Sequence, residues 1–347
     1  MALYQAISSG FERGFLSILM KILVTGATGF IGHHLCRSLI EKGYQVTALR
    51  RSESDSALLA GLDLNFVTGD VTDLPSLKAA LRGQETVIHA AGHMAYWSRL
   101  RKLQNQVNIE GTRNVVAVSQ HAGVRRLLYV SSVAAIGIPD RGQPPADENF
   151  LFNLVNSPLN YPISKKRAEE LVMAGSRNGL DIVIVNPAGL LGKWGKRYRG
   201  SEWVEKIRRG WVAFYYTGGR NLVHVADVVE GILCALEQGQ SGERYILGGE
   251  NLTYKETARI VAARLGRNIP LLPVMPLVTR LLSAFDPLIS ATGKRPPVTR
   301  EIHFTSSRFQ YYTSAKAARD LGYHARPFSE ILEDILHWYD QRSDLIA

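Results

Sequence analysis

The chain has 347 residues, 46% of them hydrophobic and 21% charged, with a formal net charge of +10 at pH 7. This composition excludes a disordered or fibrous chain, and the length predicts one large α/β domain with a smaller appended lobe. Its two cysteines, Cys36 and Cys234, lie far apart with no Cys-x-x-Cys or Cys/His cluster, so no metal site or disulfide framework is expected and a reducing, cytoplasmic compartment is.

Residues 1–19 read "MALYQAISSGFERGFLSIL". Glu12 and Arg13 interrupt the apolar run and no small-residue cleavage site follows, which argues against a secretory signal. Met20 stands directly before "KILVTG", so residues 1–19 read as an extension from an upstream start, with an amphipathic anchor as the alternative.

Short apolar strands then alternate with helical patterns. The strands are "KILVT" (21–25), "QVTAL" (45–49), "LNFV" (64–67), "TVIHA" (86–90), "RLLYVS" (126–131) and "DIVIVN" (181–186). Amphipathic stretches at 31–42, 74–82, 105–122 and 162–178 separate them. The alternation predicts a doubly wound parallel sheet, of the Rossmann type, with helices on both faces. Beyond residue 190 the pattern loosens. Residues 218–236 read as a strand and then a helix capped by Asp227, and "ERYILGG" (243–249) reads as another strand. Amphipathic helices follow at 253–265, 314–321 and 327–342. The binding domain is therefore expected over 20–190, with 221–238 returning to it, and 191–347 form mainly a substrate lobe of α/β type.

No uncharged apolar run approaches the roughly 18 residues needed to cross a bilayer. The nearest, "IPLLPVMPLVTRLLSAFDPLI" (269–289), contains Arg280, Asp286 and several prolines. It reads as a cover over an apolar pocket, with a peripheral membrane contact as the alternative. The positive charge is spread over the chain, apart from "KWGKRYR" (193–199) and "KIRR" (206–209), and no nucleic-acid partner is expected. Lys193, Lys196, Arg197 and Arg199 could serve a phosphorylated substrate, an anionic lipid or only solvent.

"TGATGFIG" (25–32) places Gly26, Gly29 and Gly32 between a strand and a helix. Such a turn lets backbone N–H groups approach a pyrophosphate whose charge the helix N-terminus stabilises. An acid at the end of the second strand would hydrogen-bond an adenosine ribose, whereas an arginine there suits a 2′-phosphate. The strand ends "ALRRSES", so Arg50 and Arg51 favour NADP(H). NAD(H) is the alternative, with Glu53 reaching the ribose.

"YPISK" (161–165) puts Tyr161 and Lys165 four apart on one helix face. A nearby ammonium favours the phenolate, so the phenol is expected below its usual pKa of about 10 and able to move a proton near neutrality. Ser131 and Ser132 follow a strand at its carboxyl end, where open α/β sheets bind ligands.

These motifs, with "GDVTD" (69–73), "HAAG" (89–92), "NIEGTRNV" (108–115), "NPAGLLG" (186–192) and "LVHVADVVEGI" (222–232), resemble the extended short-chain dehydrogenase/reductases over residues 21 to about 342. The resemblance implies an NAD(P)-dependent oxidoreductase. Gly26, Thr28, Gly29, Phe30 and Ile31 would meet the cofactor; Asp70 and Val71 would hold the adenine. Ala90, Ala91 and Gly92 would line its path, and Asn108 would shape the helix beneath. Pro187 and Ala188 would contact the nicotinamide end, with Ser131 beside it. Ser132 would polarise the substrate oxygen, Tyr161 would be the general acid/base, and Lys165 would hold the ribose and tune Tyr161. Relatives commonly form homodimers through two helices, here about 105–122 and 162–178.

Within that superfamily the chain is most similar to the dihydroflavonol 4-reductase and 3β-hydroxysteroid dehydrogenase-like group, and close to proteins labelled hopanoid-associated sugar epimerases. Nucleotide-sugar relatives commonly carry Arg-Asp-aromatic before the "VHV" strand. Here Asn221 and Leu222 follow Arg220. Met94, Tyr96 and Trp97 in "HMAYW" (93–97) suit a hydrophobic small-molecule substrate, and His93 reads as a polar loop residue. A hydride transfer on a hydrophobic ketone or secondary alcohol is therefore expected. A nucleotide-sugar epimerase or dehydratase with tightly held NAD is the alternative. A non-catalytic sensor is disfavoured by the Tyr/Lys pair.

Overall fold

The computed structural model describes residues 20–210 and 213–342. The extension read at 1–19 lies outside them. Six strands follow the periodicity of the sequence: β1 (Lys21–Thr25), β2 (Gln45–Arg50), β3 (Asn65–Thr68), β4 (Thr86–His89), β5 (Arg126–Val130) and β6 (Asp181–Pro187). The chain then leaves for β7 (Gly189–Trp194), β8 (Arg197–Arg199), β9 (Ala213–Tyr216) and β10 (Gly219–His224), and returns as β11 (Arg244–Leu247). The seven-stranded sheet has the order β11-β6-β5-β4-β1-β2-β3, with every pair parallel. More of the second half thus rejoins this layer than the segment 221–238 alone.

The strands bury both faces, and side chains alternate between two cores. Ile22, Val24, Val183 and Val185 pack into one core; Leu23, Ile182 and Ile184 pack into the other. Helix α1 (Phe30–Glu41) covers the first face, while α2 (Leu74–Leu81) covers the second. The segment expected as one helix over 105–122 is instead α3 (Arg101–Asn105), a π turn (Gln106–Gly111) and α4 (Thr112–His121). It packs beside α5 (Asn160–Arg177) on the second face. A π turn inside a helix widens the spiral by one residue and recurs at functional sites.

After α6 (Glu202–Arg208), helix α7 (Val225–Gln238) returns to the first face. Asp227 is not its cap. The His224 ring Nδ1 accepts from Ala226 N at 3.2 Å instead, and the Asp227 carboxylate takes the Arg326 backbone N–H at 3.0 Å and its guanidinium at 2.7 Å. A long-range ion pair has outcompeted the local cap.

The remaining elements are β12 (Glu250–Thr253), α8 (Tyr254–Arg264), β13 (Leu271–Val274), α9 (Pro276–Ala284), α10 (Asp286–Ala291), α11 (Arg300–Ser306), β14 (Phe309–Gln310), α12 (Ala315–Leu321) and α13 (Phe328–Asp340). Thr253 and Glu256 cap α8 reciprocally. A separate core of Leu191, Val204, Leu222, Val261, Phe328 and Ile335 holds the lobe together.

The winding direction reverses between β1 and β4, and this is the crevice where doubly wound sheets bind ligands. At its floor, a Cβ on Gly32 would lie 2.0 Å from Gly26 O and 2.8 Å from Ala27 Cα. Both are backbone atoms and cannot rotate away. Gly32→Ala should therefore lower stability by about 2 kcal/mol or more. Urea unfolding would measure it, and an unchanged midpoint would contradict this packing.

Candidate active site

The glycine turn sits at the carboxyl end of β1. Gly26 has φ +70°, and a Cβ there would come within 2.6 Å of Ala91 N, so the turn presses against the chain leaving β4. Gly29 N donates to Gly26 O at 2.9 Å and closes the turn. Helix α1 then begins at Phe30 with no side-chain cap, which leaves the first-turn N–H groups of Phe30 and Ile31 pointing outward. Thr28 is half-buried in the turn, whereas the Phe30 ring is buried away from it, under Arg199 and beside Trp194.

At the end of β2 the two arginines part company. Arg50 donates to Ser56 Oγ at 2.8 Å and lies 4.6 Å over the Phe66 ring, with its buried Nε unpartnered. Arg51 is exposed, pairs with Glu53 at 3.7 Å, and is near enough to His93 to help hold that imidazole below its usual pKa, after the larger effect of burial. Asp70 Oδ1 accepts from Thr72 N and Oγ1, both at 2.8 Å, and the Val71 carbonyl accepts from Asn114 at 3.0 Å.

Beneath the turn runs a buried polar chain that the sequence did not announce. His89 is wholly buried, with Nδ1 2.7 Å from Thr25 Oγ1 and Nε2 3.0 Å from Thr112 Oγ1. The Thr112 hydroxyl proton goes to Asn108 O at 2.7 Å, so His89 Nε2–H must donate to Thr112. Nδ1 then accepts from Thr25, whose oxygen in turn takes Ala91 N–H at 3.2 Å. Every proton is assigned, and the neutral Nε2–H tautomer follows. Burial, assisted by the Lys165 ammonium, holds this histidine down at about 3. The Asn108 side chain continues outward, accepting from His93 N at 2.8 Å and donating to Ser164 Oγ at 2.9 Å; Ser164 Oγ donates to Tyr161 O at 2.8 Å.

Tyr161, half-buried, and Lys165, buried, share one face of α5, as their spacing predicts. The tuning expected of Lys165 is a different matter. Its Nζ donates to Tyr129 OH at 2.9 Å and to Val130 O at 3.0 Å, and the phenol of Tyr161 is pushed up, to about 12, not down. Burial is the cause; the adjacent Ser132 hydroxyl and the Arg199 guanidinium oppose it. Burial likewise pulls the Lys165 ammonium down to about 8, against the pull of the Glu169 carboxylate. Tyr129, on β5, is the lysine's partner that sequence reasoning missed. Glu169 is held by Asn186 Nδ2 at 2.6 Å and Arg244 at 3.2 Å. Asn186 also donates to Ser132 O at 2.9 Å, which fixes the serine's strand end. The Ser131 hydroxyl is buried without a partner.

Pro187 ends β6 beside this cluster, and Ala188 N donates to Leu247 O at 3.1 Å. Gly92 follows the Ala90–Ala91 path, and a Cβ on it would stand 3.7 Å from Lys165 Nζ. Of the three aromatic or sulfur residues read as substrate contacts, Tyr96 meets Tyr161 edge-on, with ring centroids 6.3 Å apart. Trp97 turns away, its indole N–H on Ser290 Oγ at 2.7 Å, and Met94 is half exposed. Within the basic run only Arg199 is drawn inward, 5.0 Å over Phe30 and 5.8 Å over Trp194; Lys193, Lys196 and Arg197 are exposed.

The residues present fit a dinucleotide. A cradle that any Cβ would fill, an uncapped helix N-terminus and two orphaned buried polar atoms, Arg50 Nε and Ser131 Oγ, lie around one crevice. This crevice and a doubly wound sheet define the class: a Rossmann-fold, NAD(P)-dependent oxidoreductase. The profile of the NAD dependent epimerase/dehydratase family matches residues 22–248, and the chain belongs to that family. A protein of Synechocystis sp. bearing the provisional name dihydroflavonol 4-reductase is 35% identical, over 91% of this chain and 93% of its own. Sterol demethylase protein B of Methylococcus capsulatus is 30% identical, over 93% and 99%. The crystal structure of gox2253 superposes with a TM-score of 0.80 at 34% identity, over 93% of this chain and 98% of that one.

Two outcomes follow. Replacing His89 by Leu strands the Thr25 hydroxyl and removes both ring contacts, so unfolding free energy should fall by about 2 kcal/mol or more; thermal or urea denaturation measures it, and an unaffected stability would contradict the proton assignment. Glu169 raises the Lys165 pKa, so Glu169→Gln should move the lysine's deprotonation to lower pH. An alkaline limb of the kcat/KM profile that stays in place would show that Lys165 does not set it.

Proposed function

We propose that the chain is an NADP(H)-preferring reductase or dehydrogenase acting on a hydrophobic ketone or secondary alcohol. The observation that carries this reading is the half-buried phenol of Tyr161, flanked by the Ser132 hydroxyl and by the edge of Tyr96. A phenol kept protonated by burial is poised to give its proton to a carbonyl oxygen that is gaining charge. When bound, the nicotinamide supplies or takes the hydride.

In this reading Ser132 donates a hydrogen bond to the substrate oxygen and Tyr161 donates the proton to it; in the oxidative direction Tyr161 receives the proton. Lys165 carries a positive charge beneath the site, held there by Tyr129 OH and Val130 O. A charge in a buried site stabilises the phenolate left after transfer. The first-turn N–H groups of α1 would hold the pyrophosphate, with Asp70 and Val71 at the adenine end. Arg51 would meet the 2′-phosphate. The names of the two curated relatives, a flavonol-type reductase and a sterol-processing protein, support a flat apolar substrate. Asn221 supports it too: its side-chain amide is taken up inside the protein, donating to Asn251 Oδ1 at 2.8 Å and to Gly249 O at 3.0 Å.

One observation favours the nucleotide-sugar alternative. Among the described residues no carboxylate forms a salt bridge with Arg199, whose guanidinium lies near enough to lower the Tyr161 pKa. A substrate phosphate would suit it.

Tyr161→Phe removes the proton and leaves the ring. Turnover of lipophilic ketones should fall by at least about a hundredfold while dinucleotide affinity is unchanged. Steady-state kinetics paired with a fluorescence titration of NADPH would measure both, and undiminished turnover would overturn the assignment of Tyr161.

A further inference from the structure

Helices α9 and α10 are built inside out. Their buried positions are polar: Thr279 is 0%, Ser283 5% and Asp286 2% exposed. Thr279 Oγ1 lies 2.8 Å from His303 Nδ1, and Asp286 accepts from Ser290 Oγ at 2.8 Å and from Arg300 N at 2.9 Å. Their solvent side is apolar. Leu277, Leu281, Phe285 and Leu288 are 58–70% exposed and recur at helical spacing in one stripe. Met275, Val278 and Leu282 flank it, each about half exposed. In the strand pair leading into α9, exposed Leu272 stands opposite exposed Phe214 and adds to the patch. A contiguous apolar surface of this kind marks an interaction site.

The charge around the patch selects its partner. Arg280, Lys294, Arg295 and Arg300 are exposed on or beside these helices. Arg99 reaches the end of α10 through Ser290 O at 2.9 Å, with exposed Arg101 and Lys102 following in sequence. Between residues 266 and 300 the sole carboxylate is the buried Asp286. An apolar stripe flanked by these cations complements acyl chains beneath anionic headgroups. A second copy of the chain would set like charges against each other.

We propose that this face docks on an anionic lipid bilayer, with α9 and α10 lying in the interface. The docking face also adjoins the site. Tyr96 O accepts from Thr299 Oγ1 at 2.9 Å, Trp97 is bonded to Ser290, and Tyr96 packs on Tyr161. One short loop therefore joins the lipid-facing helices to the phenol. If the apolar-substrate reading above holds, the bilayer is the source of that substrate; the docking itself does not rest on it.

The test is co-sedimentation of the full chain with vesicles, which requires no turnover. The protein should pellet with vesicles of equal parts phosphatidylcholine and phosphatidylglycerol, more weakly with phosphatidylcholine alone, and less as salt rises. The double variant Leu281→Glu/Phe285→Glu should lose pelleting. Lys294→Gln/Arg295→Gln, which spares the stripe, should weaken it by at least about tenfold, each interfacial cation being worth about fivefold. Both pairs are exposed, and unchanged circular dichroism and dinucleotide binding would show the variants folded. Absence of pelleting, pelleting indifferent to either pair, or a dimer in sedimentation velocity that Leu281→Glu/Phe285→Glu dissociates would each overturn the proposal. The last outcome would assign the face to a second copy.

Discussion

The crevice depends on one buried line of hydrogen bonds. It starts at Thr25 under the glycine turn, passes through His89 and Thr112 to Asn108, and reaches α5 at Ser164. Five residues from β1, β4, the π turn, α4 and α5, all of them buried, are thereby placed relative to one another. Buried polar groups cost heavily when unpaired, so such a line specifies one arrangement and penalises the rest. The glycine turn and the helix that carries Tyr161 are consequently parts of one unit, as the proposed transfer between fixed partners requires.

The electrostatics of the site follow from the same burial. Desolvation is the largest effect on both, raising Tyr161 and lowering Lys165 toward their neutral forms. Glu169 opposes this for the lysine and is itself held by Asn186 and Arg244. The charge of the ammonium thus leans on a carboxylate on the next turn of α5, which an arginine from β11 holds in place.

Much of this was legible in the sequence because it is local. The alternation of short β-branched runs with amphipathic helices yields the sheet, and Gly26, Gly29 and Gly32 with Tyr161 and Lys165 mark the crevice by spacing alone. What was not legible is long-range. Asp227 carries the signature of a cap, but Arg326, nearly a hundred residues on, claims it. Tyr129 reads as one more strand residue, and only the packing of α5 on β5 makes it the partner of Lys165. Trp97 and Tyr96 are adjacent, yet Ser290 takes one and Tyr161 the other. The apolar segment 269–289 reads as a pocket cover in sequence; which side of α9 faces water is decided by Thr279, Ser283 and Asp286 finding polar partners inside.

In the proposed reading this crevice binds an exchangeable NADP(H) for reaction with a separate apolar substrate. The most direct measurement is to denature the purified protein, identify any released dinucleotide by chromatography, and titrate the emptied protein with NADPH and NADH. No NAD should be retained through dialysis, and NADPH should bind more tightly than NADH. NAD held through dialysis, or a preference for NADH, would contradict it and return Arg51 to solvent and the site to a hydride-recycling epimerase.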